Sequence, residues 1–190
     1  MEPFKRIKSI VTPLDKVNVD TDQIIPKQFL KLIQRTGFGQ FLFYDWRYEK
    51  EGIPRKDFIL NHPAYRTSKI LLARDNFGCG SSREHAVWAL EDYGFKVIIS
   101  TSFADIFYNN CFKNGILPIQ VSDDVLQKFF STKSEIEVDL ENQTIMVDDT
   151  SIIFHIEPHW KKILLEGLDD IAMTLQHEDQ ISRYERSHKI

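Results

Sequence analysis

The sequence has only two cysteines, Cys79 and Cys111, in 190 residues. Two thiols cannot build a disulfide framework, and their scarcity fits a reducing compartment. Nor can they hold an iron–sulfur cluster, which takes about four ligands, mostly Cys. Excess basic charge is missing too. With 24 Lys and Arg against 28 Asp and Glu, the formal net charge is −4, unlike the basic balance of duplex-binding modules. Long apolar runs are also absent. Ile70-Leu71-Leu72-Ala73 falls far short of the roughly 20 residues that span a bilayer. Lys5, Arg6 and Lys8 interrupt the apolar residues near the N-terminus, so no signal-peptide core is expected there. The expectation is a soluble cytoplasmic protein with no nucleic-acid or membrane partner. No internal repeat or low-complexity tract is visible.

What is present supports a core. The hydrophobic fraction is 42%, with 14 Phe. A chain of this size buries about 70% of its unfolded surface on folding, so one domain over residues 1–190 is expected. A strand is expected over Ile7–Thr12, with a turn at Pro13. An aromatic, charged stretch at about 28–66, broken by Gly37, Gly39, Gly52 and Pro54, reads as an ordered but irregular excursion, of the kind that serves as a flap.

The middle of the chain has clearer periodicity. Lys69–Ala73 has a strand's length, Asn76–Ser82 is a glycine-rich turn, and Arg83–Tyr93 reads as a helix stopped by Gly94. Lys96–Ser100 is a β-branched run suited to a buried strand. Ser102 is the expected N-cap of a second helix that carries Phe103, Ile106, Phe107 and Cys111 and ends at Gly115. Ile116–Ile119 is a further strand. Strands alternating with helices point to a parallel α/β unit. After Asp123 come a short helix (Asp124–Phe130) and strands at Glu135–Leu140, Thr144–Val147 and Ser151–Ile156. Those strands read as an antiparallel meander, followed by a helical, charged tail from about 158.

The chemistry is expected at Asn76 to Ala86, where a strand feeds a glycine turn and then a helix N-terminus. Unpaired N–H groups and the positive end of the helix dipole make such a turn an anion site. Ser81, Ser82 and Arg83 would grip a carboxylate or phosphate there, Arg83 through two parallel hydrogen bonds. The loop lacks the Gly-Lys-Ser/Thr of a P-loop. Arg83 stands where a dinucleotide fingerprint has its third Gly, and there is no Gly-x-Ser-x-Gly elbow. A plain reading stays open on these residues alone: a tight turn with a cap, His85 and Trp88 as packing residues, and Cys79 as a bystander thiol.

Several motifs together narrow this. Gly80-Ser81-Ser82-Arg83-Glu84-His85-Ala86, Ser102-Phe103-Ala104-Asp105-Ile106-Phe107, Asn110 and Gly115-Ile116-Leu117-Pro118 resemble the mobile domain of the aconitase superfamily. Asn18 to Pro26, Gln28-Phe29-Leu30 and Arg35-Thr36-Gly37-Phe38-Gly39 are similar as well. Together they resemble the small subunits of bacterial 3-isopropylmalate dehydratases, over nearly the whole chain. The resemblance implies an α/β fold, a swivelling three-layer β/β/α domain with one parallel and one antiparallel sheet. It implies a hydro-lyase that interconverts 2- and 3-isopropylmalate in leucine biosynthesis, active only with a large subunit. That partner would carry a [4Fe–4S] cluster, and this chain would bind no cofactor or metal. Ser81 would be the base, Asp22 a second catalytic residue that orients or relays a proton, and Ser82, Arg83 and Arg35 substrate-binding residues. The isopropyl group is expected in the Pro26–Phe43 segment. A related small subunit for methylmalate or homoaconitate, or a non-catalytic anion-binding domain, are the alternatives.

Overall fold

Ile10 divides the first apolar run between two sheets. The computed structural model describes residues 1–31, 36–49 and 52–188. In it β1 (Arg6–Ser9) pairs antiparallel with β6 (Ile136–Asp139), whereas β2 (Val11–Leu14) pairs parallel with β3 (Ile70–Ala73). The Ile10 carbonyl, which sits between the two strands, accepts from the Ser9 and Ser68 hydroxyls at 2.8 and 2.9 Å. One expected strand is therefore two, and Pro13 lies inside the second instead of forming a turn. Proline has no N–H for a ladder, so sheets tolerate it at their edges. Pro13 and Pro118 lie in the two edge strands of the parallel sheet, ordered β2-β3-β4-β5, with β4 Val97–Ser100 and β5 Leu117–Gln120.

Every residue of β3 and β4 is buried, as expected for parallel strands covered on both faces. Leu71, Ala73 and Ile98 face one core with Ala86, Val87, Ala89 and Leu90 of a helix over Glu84–Tyr93. Ile70, Leu72, Val97 and Ile99 face a second core with Ile136, Val138 and Ile145 of the antiparallel sheet. That sheet runs β1-β6-β7-β8, with β7 Thr144–Val147 and β8 Thr150–Ile153. The layers are thus helix, parallel sheet and antiparallel sheet, which is the expected α/β class.

The helices, in chain order, are α1 (Thr21–Ile24), α2 (Tyr44–Arg47), α3 (Glu84–Tyr93), α4 (Asp105–Lys113), α5 (Asp123–Ser131), α6 (Pro158–Glu166), α7 (Asp170–Leu175) and α8 (Glu178–His188). Gly94 ends α3 in the left-handed region at φ 116°, a conformation that costs a side-chain-bearing residue more. Ser102 does not cap α4; Ala104 stands there. The Ser102 hydroxyl instead accepts from Asn76 N at 2.8 Å and donates to the Asp75 carboxylate, so it ties two strand ends together. In α7 and α8 no residue is buried.

Among its described residues the excursion contains one α-helical turn, α2, and short 3-10 turns at Lys27–Lys31, Gly39–Phe41, Ile59–Asn61 and Pro63–Tyr65. Its described residues are held by large side chains, Arg47 and a short antiparallel bridge between Tyr48 and Pro54. Phe38, Leu42, Phe43 and Leu60 are buried in the α3 core. Arg47, itself buried, donates to the carbonyls of Gly39 and Leu42 at 3.2 and 3.4 Å. Its guanidinium also lies about 5 Å from the Tyr48 and Tyr93 rings.

Candidate active site

Past the ends of β2, β3 and β4 the chain forms a second, shorter tier of parallel pairing. Asp20 bridges to Cys79, and Phe77 to Phe103. Gly78 N donates to Val19 O at 2.8 Å and Thr21 N to Cys79 O at 2.9 Å. Phe77 N donates to Ser102 O, and Ala104 N to Phe77 O, both at 3.1 Å. These bonds bring together the Asn18–Asp22, Asn76–Arg83 and Ser102–Phe107 motifs, which are far apart in sequence.

Gly78 makes the approach of α4 feasible. A Cβ there would come within 2.1 Å of the Phe107 ring, and φ is +78°. The next turn is latched by Thr21, whose hydroxyl donates to Ser81 O at 2.9 Å. Ser81, Ser82 and Arg83 then line a cleft of about 220 Å³ with Thr21, Asp105, Ile106 and Asn110. Both serines are exposed.

The two aspartates of the first motif have different jobs. Asp20 caps α1: its carboxylate accepts from Gln23 N at 2.7 Å, and Gln23 Oε1 accepts from Asp20 N at 3.0 Å. This reciprocal cap leaves Asp22 free to pair with Arg83. Arg83 precedes α3 and makes no side-chain cap bond, so its guanidinium turns to Asp22. Only Arg83 Nη1 is engaged by that carboxylate. The arrangement presents two hydroxyls, a mostly buried guanidinium and the N-terminus of α3 at one cleft. It can bind a carboxylate and stabilise negative charge on a hydroxyl oxygen.

Four of the expected site residues, Asp22, Ser81, Ser82 and Arg83, thus meet. Arg35 lies outside the described residues. His85 packs edge-on to Phe38 and at 4.6 Å from the Trp88 ring, a packing role. Ile25, Phe38, Leu42 and Phe43 go into the core, so Phe38, Leu42 and Phe43 of the Pro26–Phe43 segment do not line a cleft. Thr21 and the lining from α4 carry no local sequence signal of a site role. The Asp20-x-x-Gln23 spacing is a capping-box signal that would have separated Asp20 from Asp22. A larger groove of about 860 Å³ runs between α4, α5 and β8, but it holds none of the motif serines or Arg83.

The chain's own donors do not fit an iron–sulfur cluster. Among the described residues no three or more His, Cys, Asp or Glu side chains gather as metal ligands. Burial, with Asp20 adding to it, raises the Cys79 thiol above its ordinary range, and burial alone raises Cys111 well above it. Both therefore favour the neutral thiol. Among the described residues no helix is long and apolar enough to cross a membrane.

Comparison with known proteins identifies the family. Residues 1–124 match the aconitase C-terminal domain, and residues 170–190 match the C-terminal domain of the 3-isopropylmalate dehydratase small subunit. The 3-isopropylmalate dehydratase small subunit of Brevibacillus brevis is 56% identical over 191 residues, covering 97% of this chain and 98% of that protein. The one from Bacillus subtilis is 53% identical over 190 residues, covering 97% and 96%. A crystal structure of 3-isopropylmalate dehydratase from Methanocaldococcus jannaschii superposes with a TM-score of 0.70 at 26% identity, covering 94% of this chain and 99% of that one. With the two-sheet fold and the strand-end cleft, these matches show that the chain belongs to the family of 3-isopropylmalate dehydratase small subunits.

Proposed function

We propose that this chain is the proton-moving, carboxylate-binding half of a two-subunit hydro-lyase. The enzyme interconverts 2-isopropylmalate and 3-isopropylmalate through isopropylmaleate, in the cytoplasm, as part of leucine biosynthesis. The observation that carries the reading is the meeting of Ser81, Ser82 and Arg83 at one strand-end cleft, with Asp22 paired to Arg83, in a member of this family.

Ser81 is the base that takes the proton from the carbon next to the one bearing the hydroxyl. A serine hydroxyl does this only where its anion is favoured. The N-terminus of α3 and the Arg83 guanidinium provide positive charge there. Removing one donor to such an oxyanion costs about 2.7–4 kcal/mol in barrier. Arg83 binds a substrate carboxylate through Nε and Nη2, the nitrogens that Asp22 leaves unengaged. Asp22 holds that side chain in place, and Ser82 adds a hydroxyl contact. Arg35 is the candidate for the second carboxylate. A [4Fe–4S] cluster, held by the large partner, supplies the Lewis acid for the leaving hydroxyl.

The test is anaerobic co-expression with the cluster-bearing large partner, followed by assays with a panel of malates. The complex is expected to turn over isopropylmalate in preference to methylmalate and homoaconitate, and the isolated chain to be inactive. Preference for an unbranched diacid, or activity of the chain alone, would overturn the proposal.

A further inference from the structure

Among the described residues lining the strand-end cleft, Ile106 is the large apolar side chain left in the open, 54% exposed. Its position is tightly fixed. Ala104 N is bonded to Phe77 O at 3.1 Å, and Tyr108 N to Ala104 O at 2.9 Å. Phe107, 3% exposed, fills the space beside Gly78 and so sets the rotation of α4. Ile106, one residue earlier and turned by about 100°, is directed to the cleft that Ser81 and Arg83 line.

The reaction has a use for such a side chain. In either direction the isopropyl branch hangs on one of the two carbons between which the double bond forms. It therefore lies within two bonds of the carbon that loses its proton. A base at Ser81 puts the branch within a side chain's reach of the Ser81 hydroxyl. Ser82, Arg83, Asp105 and Asn110 offer that branch only polar groups. Of the segment expected to receive it, Phe38, Leu42 and Phe43 are buried in the core, and Phe29, Leu30 and Phe41 are partly buried against that core.

The geometry points to Ile106 as the apolar wall that meets the substrate's branched alkyl group, making it a specificity residue of this chain. The inference rests on the proposed function and names the part of the cleft that reads the branch.

The test compares two non-reacting diacids, isopropylsuccinate and succinate, as inhibitors of isopropylmalate turnover by the assembled two-subunit enzyme. For Ile106→Ala the inhibition constant of isopropylsuccinate is expected to rise about 10-fold and that of succinate to stay within about twofold, the scale of lost apolar contacts in a pocket. Ile106→Leu is expected to keep both within about threefold. Equal shifts for both inhibitors, as a contact with the large partner alone would give, would overturn the inference. So would no shift for either. An inactive wild-type complex would instead overturn the proposed function, and the inference with it.

Discussion

Among the described residues the parallel and antiparallel sheets have four strands each, yet every candidate site residue the structure describes follows from the parallel one. Asp22 comes after β2, Ser81 to Arg83 after β3, and Ile106 after β4. In a parallel sheet all C-terminal strand ends share one edge, and their loops fall side by side. In the antiparallel sheet successive ends alternate, so the turns at 140–143 and 148–149 lie at opposite edges. Its contribution is burial: Ile136, Val138 and Ile145 close the second core. The proposed chemistry thus sits at one sheet, and the other sheet contributes burial.

Substitutions test this separation. Ser81→Ala is expected to have the largest effect, lowering turnover of the complex by at least about 100-fold, the scale of a lost acid–base group. Arg83→Lys comes next. It keeps the charge but loses the fork geometry, and a lost charged hydrogen bond of about 1.5–3 kcal/mol predicts a KM raised roughly 10- to 100-fold. Steady-state kinetics on the assembled enzyme check both. Gly78→Ala would meet the Phe107 ring at 2.1 Å with φ at +78°. Thermal unfolding is expected to show a loss of about 1–3 kcal/mol, and an unchanged melting temperature would contradict the close packing.

The smallest effect belongs to the antiparallel half. The Asn142 backbone N–H, 2.9 Å from Asp139 Oδ1, holds the Asp139 carboxyl below its ordinary pKa, with the Asn142 side chain and Arg6 adding to it. A carboxyl lowered in the folded state adds stability above its unfolded pKa, and that stability is lost as pH falls through the folded value. Asp139→Asn should therefore flatten the acid limb of the stability curve below about pH 4 while leaving neutral-pH turnover unchanged. A fall in turnover would erase the division between the sheets.

Much of this was legible from sequence because it is local. The buried runs of β3 and β4, the stop at Gly94 and the Gly80-to-Ala86 motif all announce themselves within a dozen residues. The tier that assembles the site does not. Pairings such as Asp20 with Cys79 and Phe77 with Phe103 depend on register between distant segments, which no local period encodes. Ser102 reads as a cap because hydroxyls favour caps, yet its bond to Asn76 N comes from a strand end 26 residues away in sequence. Pro13 reads as a turn until an edge strand accommodates it. The excursion has no period, and its described residues are held mainly by buried aromatics and Arg47.

The most direct measurement is turnover of the Ser81→Ala complex, normalised to the amount of enzyme assembled with the large partner. Wild-type assembly with turnover down at least about 100-fold is expected. Wild-type assembly with near-wild-type turnover would remove the strand-end tier from the chemistry.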